Sequence, residues 1–250
     1  MTGNRLLAAL PDSERSRLSS RLVRVRLTSK QVLYSQGQLI HRVYFPDSGV
    51  VLLLPVMDDG ELAGVGLVGN EGVVGVHALY PSATMPCEAV VQCPGEAWAL
   101  SANDLRREIR ARGVLADLLG RYSHALLNQA MQVAACNALH SIRQRTARWI
   151  LEVDQRTDGA SFPLTQEVLG NVVGVRRATI NAVARDLHRL GLIEYRRGRM
   201  RVRNRRRLLA ASCECRLVMQ AHFARLLPTY PAPSSRRGLA SASDLLSAIA

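Results

Sequence analysis

Six residues share one side of a predicted helix: Arg177, Ala178, Asn181, Ala182, Arg185 and Arg189. Opposite them lie Ile180, Val183, Ala184, Leu187 and Leu190, which at about 100° per residue make a single apolar face. Arginine donates paired hydrogen bonds to guanine, asparagine pairs with adenine, and an alanine methyl packs on the thymine methyl. A helix buried on one side and carrying these types on the other suits a DNA major groove. Arg176 and Thr179 extend the same surface at its start. A solvated helix face with arginines looks similar, so the surrounding segments decide between the two readings.

Those segments are arranged as the chemistry requires. A preceding helix starts at Thr165, whose hydroxyl can cap the first free N–H groups. Glu167 lies in its first turn, where the helix dipole favours a carboxylate. Val168, Leu169, Val172 and Val173 give it a core face, and Gly174 ends it. After Gly191 comes LIEYRRGRMRVR, two alternating runs around Gly198 that predict a β-hairpin. Arg196, Arg197 and Arg199 sit at its tip, and with Thr165 they are the candidates for phosphate contacts. From Arg176 to Arg207 there are twelve arginines against only Asp186 and Glu194, the charge footprint of a polyanion partner.

The whole chain has 250 residues and a net charge of +13, with Lys30 its only lysine. Nothing reaches the length of a membrane span, and no long basic amphipathic helix with Trp or Phe points to a membrane surface. The N-terminus, broken by Pro11 and acidic residues, is not an export signal. Five cysteines with no framework spacing (Cys87, Cys93, Cys136, Cys213 and Cys215) therefore read as reduced, in the cytoplasm. Cys213-x-Cys215 is spaced too closely for the usual zinc-ribbon pair. Packing is its expected role, with redox or metal sensing as the alternative. The six histidines show no metal-ligand spacing, so no metal is expected.

In chain order, two short helical pieces (5–10 and 12–20) precede a region of alternating runs from Leu22 to Leu100. Turns at Gly37, Asp47-Ser48-Gly49, Asp59-Gly60, Gly69 and Pro94-Gly95 make that region an all-β sandwich or barrel. Helical periodicity starts at Ser101, and Gly113 divides a first helix from a longer one. In the longer helix Leu115, Leu119, Tyr122, Leu126, Gln129 and Val133 follow spacings of 4, 3, 4, 3 and 4, a heptad seam suited to a two-fold dimer contact. LHSIRQRTARWILEVDQR leads into the DNA-reading stretch, and RRRLLAASCECRLVMQAHFARLL forms a final helix. Residues 229–250, rich in Pro, Ser and Ala, read as a flexible tail with room for a helical turn at 244–249.

LTQEVLGNVVGVRRATINAVARDLHRLGLI resembles the helix-turn-helix of the Crp/Fnr superfamily of bacterial transcription regulators. VYFPDSGVV, VGNEGVVG and VVQCPGEAWAL resemble its effector barrel, and the likeness covers about residues 4–228. The resemblance implies an α+β chain in four parts. A cyclic-nucleotide-binding-like jelly-roll β-barrel spans 1–113 and a dimerisation helix 114–137. A winged helix-turn-helix spans 138–228, with the tail at 229–250. It implies a homodimer on double-stranded DNA, with RNA polymerase as a further contact if the protein activates. The family's strongest base contact falls at Arg177. Its frequent Glu and Arg one and five residues later are replaced by Ala178 and Ala182, so a different operator is expected.

The resemblance also places the effector site. Cyclic-AMP-binding members hold the ribose with a Gly-Glu pair and the cyclic phosphate with an Arg-Ser pair. Here Asn70-Glu71-Gly72 falls near the first and Met85-Pro86 near the second, and no arginine lies between Arg42 and Arg106. A buried phosphodiester without a cation is poorly held, so cyclic AMP is not expected. No cysteine precedes Cys87, which argues against the family's iron–sulfur cluster, and a lone His77 argues against haem. Three functions remain: a regulator with a barrel sensor of unknown effector, a regulator whose barrel is only a scaffold, and, remotely, a cupin-like enzyme, for which the barrel lacks a metal-binding His/carboxylate cluster.

Overall fold

The computed structural model describes residues 2–227, so the segment read as a tail lies outside the described residues. Two short helices, α1 (Arg5–Ala8) and α2 (Asp12–Ser19), lead into seven strands. These are β1 (Val23–Leu27), β2 (Val32–Tyr34), β3 (Arg42–Pro46), β4 (Val50–Leu54), β5 (Gly66–Val68), β6 (Glu88–Cys93) and β7 (Gly95–Ser101). They form two antiparallel sheets in the orders β1-β7-β3 and β2-β6-β4-β5. The Asp59-Gly60 signal does make a tight turn: Met57 N–H donates to Glu61 O (2.9 Å), with Gly60 at φ +82°.

Strand β4, VVLLL, is buried at every position. Its period of two divides it between two cores, which is why it reads as an unbroken apolar run. Val51 and Leu53 point into the barrel with Val43, Phe45 and Leu100. Val50, Leu52 and Leu54 point outward, against Trp149, Leu164, Leu169 and Val172 of the C-terminal half. The barrel is thus docked on the C-terminal half through one of its own sheet faces.

Helix α3 (Ala102–Arg110) is capped by Ser101, which accepts from Asp104 N–H at 3.0 Å. Helix α4 (Val114–Leu139) is 26 residues long, about 39 Å. Its N-terminus lacks a local cap and takes one from a distance, since the Glu14 carboxylate accepts from Val114 and Leu115 N–H (2.8 and 3.0 Å). Helix α5 (Ile142–Arg156) follows after a break at His140-Ser141 and opens on a capping box of Ser141 and Gln144. A short strand β8 (Phe162–Pro163), helices α6 (Gln166–Val173) and α7 (Arg177–Arg189), and strands β9 (Ile193–Arg196) and β10 (Arg199–Val202) complete the C-terminal half. Its sheet order is β8-β10-β9.

Two expectations need correction. The predicted single final helix is two, α8 (Arg205–Ala210) and α9 (Cys215–Leu226). The chain breaks between them because Cys213 and Cys215 turn inward to a buried sulfur cluster while α9 packs back along α4, with Phe223 edge-on to Tyr122. The seam on α4 is also not a free surface. Leu115, Leu119, Tyr122, Gln129 and Val133 are all buried by their own chain, and Leu126 is half-buried against the barrel core. A second heptad stripe on the same helix faces outward: Gly120, His124, Leu127, Met131, Ala134 and Ala138. Leu127 and Met131 are 59% and 63% exposed.

Candidate functional site

Helices α6 and α7 meet through a turn that the sequence specifies in detail. Thr165 Oγ1 accepts from Val168 N–H at 3.1 Å, so this hydroxyl is the helix cap. Gly174 closes α6 in the left-handed region at φ +69°. Arg145 of α5 donates to the Val173 carbonyl at 3.1 Å, satisfying an acceptor the helix end leaves free. On α7, Ile180, Ala184 and Leu187 are buried, which turns the opposite face outward. Arg176, Arg177, Ala178, Thr179, Ala182, Arg185 and Arg189 are exposed. Asn181 differs: it is half-buried, and its side-chain oxygen is buried with no hydrogen-bond partner.

The hairpin predicted after Gly191 is strands β9 and β10, joined by Arg197 and Gly198, both at positive φ (+50° and +71°). That is the geometry of a two-residue turn whose twist matches its strands. It holds Arg196, Arg197 and Arg199 at an exposed tip. Arg199 is partly engaged, its guanidinium donating to the Ser161 carbonyl and hydroxyl. Arg196 and Arg197 are the freer cations for a phosphate backbone.

The barrel reaches the end of α6. Gly64 N–H donates to the Val172 carbonyl at 3.1 Å. A Cβ on Gly64 would lie 2.8 Å from the Val172 side chain and 2.9 Å from its carbonyl, so only glycine permits this approach. Beside the contact lies an open cleft of about 770 Å³, lined on one side by Asp59, Gly60 and Glu61 and on the other by Arg176, Arg177 and Thr179.

The positions that fall near the family's effector site are engaged within the chain. Glu71 is buried, and its carboxylate accepts from Gly69 N–H (3.2 Å) and from Arg156 of α5 (2.8–2.9 Å). Gly72 is pressed against Tyr122, whose hydroxyl lies 2.4 Å from where a Cβ would be. The Asn70 carbonyl is taken by Arg5 N–H (2.8 Å). Met85 is packed in the barrel core and Pro86 is exposed, so neither supplies a group for an anion. His77 has a buried Nδ1 without a hydrogen-bond partner, and burial lowers its pKa. Burial pushes the barrel thiols Cys87 and Cys93 up to about 11 and 12, which leaves them protonated and unreactive.

Sequence spacing singled out Cys213-x-Cys215 but missed the two residues that complete a cluster with it. Cys136, at the end of α4, lies 3.5 Å (sulfur to sulfur) from Cys213, and Cys215 Sγ lies 3.5 Å from His140 Nδ1. All four atoms fall within 4.8 Å of one another. The two halves of the cluster are more than seventy residues apart in the chain, so no local motif announces it.

Residues 24–112 match the domain model for a cyclic nucleotide-binding domain, and residues 144–211 match that for a Crp-like helix-turn-helix domain. No curated protein matches the sequence significantly. Among solved structures, FixK2 from Bradyrhizobium japonicum is 18% identical, covers 77% of this chain and 98% of its own, and superposes with a TM-score of 0.65. A regulator of the Crp/Fnr family from Eubacterium rectale is 15% identical over 82% of this chain and 96% of its own, with a TM-score of 0.67. The c-di-GMP-responsive regulator CLP from Xanthomonas campestris is 18% identical over 77% and 99%, with a TM-score of 0.62. The two domains in this order, joined by one long helix, place the chain in the Crp/Fnr superfamily of transcription regulators.

Proposed function

We propose that this regulator binds a near-palindromic operator as a homodimer, reading bases with α7 and gripping phosphates with the β9–β10 wing. The outward face of α7 carries this reading. Arg177 stands at its N-terminal end with Arg176, Thr179, Ala182 and Arg185 along the same side. Arg177 is assigned to a guanine, Ala178 and Ala182 to thymine methyls or close approach, and Thr165, Arg196, Arg197 and Arg199 to phosphates. Asn181 would have to swing its amide outward to read a base. The dimer is assigned to the outward stripe of α4, centred on Leu127 and Met131, because the first seam is consumed within the chain. Two recognition helices on a two-fold axis would then meet half-sites one helical turn apart, about 34–36 Å. Among the described residues no helix is long and apolar enough to cross a membrane; a cytoplasmic site of action follows from the DNA partner.

The barrel's role has two readings. One is a sensor for an effector of unknown chemistry. The other is a scaffold, favoured by the Glu71–Arg156 pair, which already uses the carboxylate that would face a ribose. Nothing in either reading asks for catalysis.

Selection of bound DNA from a random pool gives the operator. Arg177→Ala is expected to lower operator affinity by roughly 1–3 kcal/mol, about 5- to 150-fold, and to relax one position of the site. Arg197→Ala should weaken all sequences alike and reduce the salt slope by about 0.9. Undiminished, equally selective binding by Arg177→Ala would show that α7 reads bases in another way.

A further inference from the structure

Cys136, His140, Cys213 and Cys215 lie outside both matched domains, which end at residue 112 and span 144–211. We propose that these four residues form a closed tetrahedral site for one zinc ion, fastening the end of α4 to the break between α8 and α9.

The chemistry of the donors comes first. Three sulfurs and one imidazole nitrogen are a standard structural zinc set, with Zn–S near 2.3 Å and Zn–N near 2.0–2.1 Å. A tetrahedron with those arms has edges of roughly 3.5–3.8 Å. The Cys136–Cys213 and Cys215–His140 separations are both 3.5 Å, and no pair among the four exceeds 4.8 Å. A multi-iron cluster, whose cysteines surround several metal atoms, needs a wider cage. The site is also closed. Cys136 and Cys215 are fully buried and Cys213 is 4% exposed, and the three sulfurs make a small core separate from the two apolar ones. A closed four-ligand site is structural, without the open position that catalysis needs.

The surroundings fit the same assignment. Glu214 Oε1 lies 3.2 Å from His140 Nε2. A carboxylate there holds the proton on Nε2 and leaves the Nδ1 lone pair facing the sulfurs, the usual outer arrangement of a zinc-bound histidine. Gln132 donates to Cys215 Sγ at 3.1 Å. As the Zn–S bonds form, three thiol protons pass to solvent and the site acquires a net charge of −1. Arg148, buried and ion-paired with Glu152 at 2.8 Å, lies within electrostatic reach of Cys136 and Cys213 and offsets part of that charge.

Position gives the site its consequence. Everything from α5 through α8, the entire DNA-reading unit, lies between the two ligand pairs. Zinc therefore closes the base of that unit onto α4, and metal affinity becomes part of the folding free energy.

The test uses the full chain, purified without a metal-chelating tag under thiol-reducing, oxygen-free conditions. Elemental analysis should find one zinc per chain, and cobalt substituted for it should show the visible bands of a tetrahedral thiolate site. Cys213→Ser and Cys215→Ser should each lower bound metal to near zero, whereas the Cys87→Ser/Cys93→Ser variant should keep it. Should the first two variants fold poorly, the wild type decides: stripped with chelator, it should regain one zinc in competition with a chromophoric chelator, with a rise in Tm. Wild type that has five free thiols by titration yet takes up neither zinc nor cobalt would overturn the proposal. So would metal retained in Cys213→Ser, or a Cys136–Cys213 disulfide as the native state.

Discussion

Arg156→Met tests how firmly the barrel is locked to the DNA-reading half. Arg156 is the last residue of α5, and its guanidinium lies 2.8 Å from Glu71 in the loop after β5. Both side chains are deeply buried, at 8% and 4% exposure. At an effective dielectric constant of about 20 the attraction at this distance is roughly 6 kcal/mol, against which stands the cost of removing both charges from water. Deleting only the arginine removes the attraction and keeps the buried carboxylate, a loss of about 3–5 kcal/mol. For a chain of this size that is a fall in Tm of roughly 6–20 °C. Glu71→Gln keeps the acceptor for Gly69 N–H and removes the charge, so the double variant Glu71→Gln/Arg156→Met should recover much of the loss. Urea titration of the four proteins gives the coupling energy directly. A cost below about 1 kcal/mol for Arg156→Met, or strict additivity in the double variant, would mean that the pair does not hold the halves together.

Other expected outcomes concern interfaces. Leu127→Glu combined with Met131→Glu should leave the helical signal intact and give a monomer by light scattering. Val133→Glu, at a position only 4% exposed, should cost folding instead, since it buries an unpaired charge. Gly64→Ala puts a methyl 2.8 Å from the Val172 side chain. It should loosen the barrel from α6 and raise DNA affinity several-fold in anisotropy titrations, and a folded variant with unchanged affinity would show that this contact does not restrain binding.

What the sequence revealed depended on whether one local period decided burial. On α7 the apolar positions all fall on one side, so the outward residues follow without knowledge of the partner element. The wing was legible from Arg197-Gly198 for a similar reason, because the turn type fixes the register. Helix α4 failed that test. It carries two interleaved heptad stripes, and the sequence favours the more apolar one, Leu115 to Val133. A single chain gives its most apolar stripe to its own core, and here the barrel and α9 take it. The outward stripe contains Gly120, Ala134 and Ala138, small residues that permit close approach but carry little hydropathy. The full sulfur site and the Glu71–Arg156 pair were illegible for another reason: the contacts that make them join residues 75, 77 and 85 positions apart, and only the folded chain brings these together.

The contacts between the two halves bear on the state that is seen. An α-helix enters a major groove about 12 Å wide only when its outer face is clear. Here the N-terminal end of α7, where Arg176 and Arg177 stand, shares a cleft with Asp59 and Glu61 of the barrel turn. If α7 reads bases as proposed, the two carboxylates would repel phosphate from that end of the helix, and DNA and the barrel turn would compete for one surface. Relieving that competition would mean breaking the Gly64–Val172 hydrogen bond and the Glu71–Arg156 pair and also parting the apolar face of β4 from Trp149, Leu164, Leu169 and Val172, because all three join the barrel to the C-terminal half. The chain enters that unit at His140-Ser141 and leaves it at Ala211–Cys213, and the sulfur cluster lies beside both points. A movement of the DNA-reading unit away from the barrel would open those two contacts and uncover the apolar face of β4, so an effector acting through the barrel would have to offset the loss of all three, whereas the cluster joins the unit to α4 and not to the barrel.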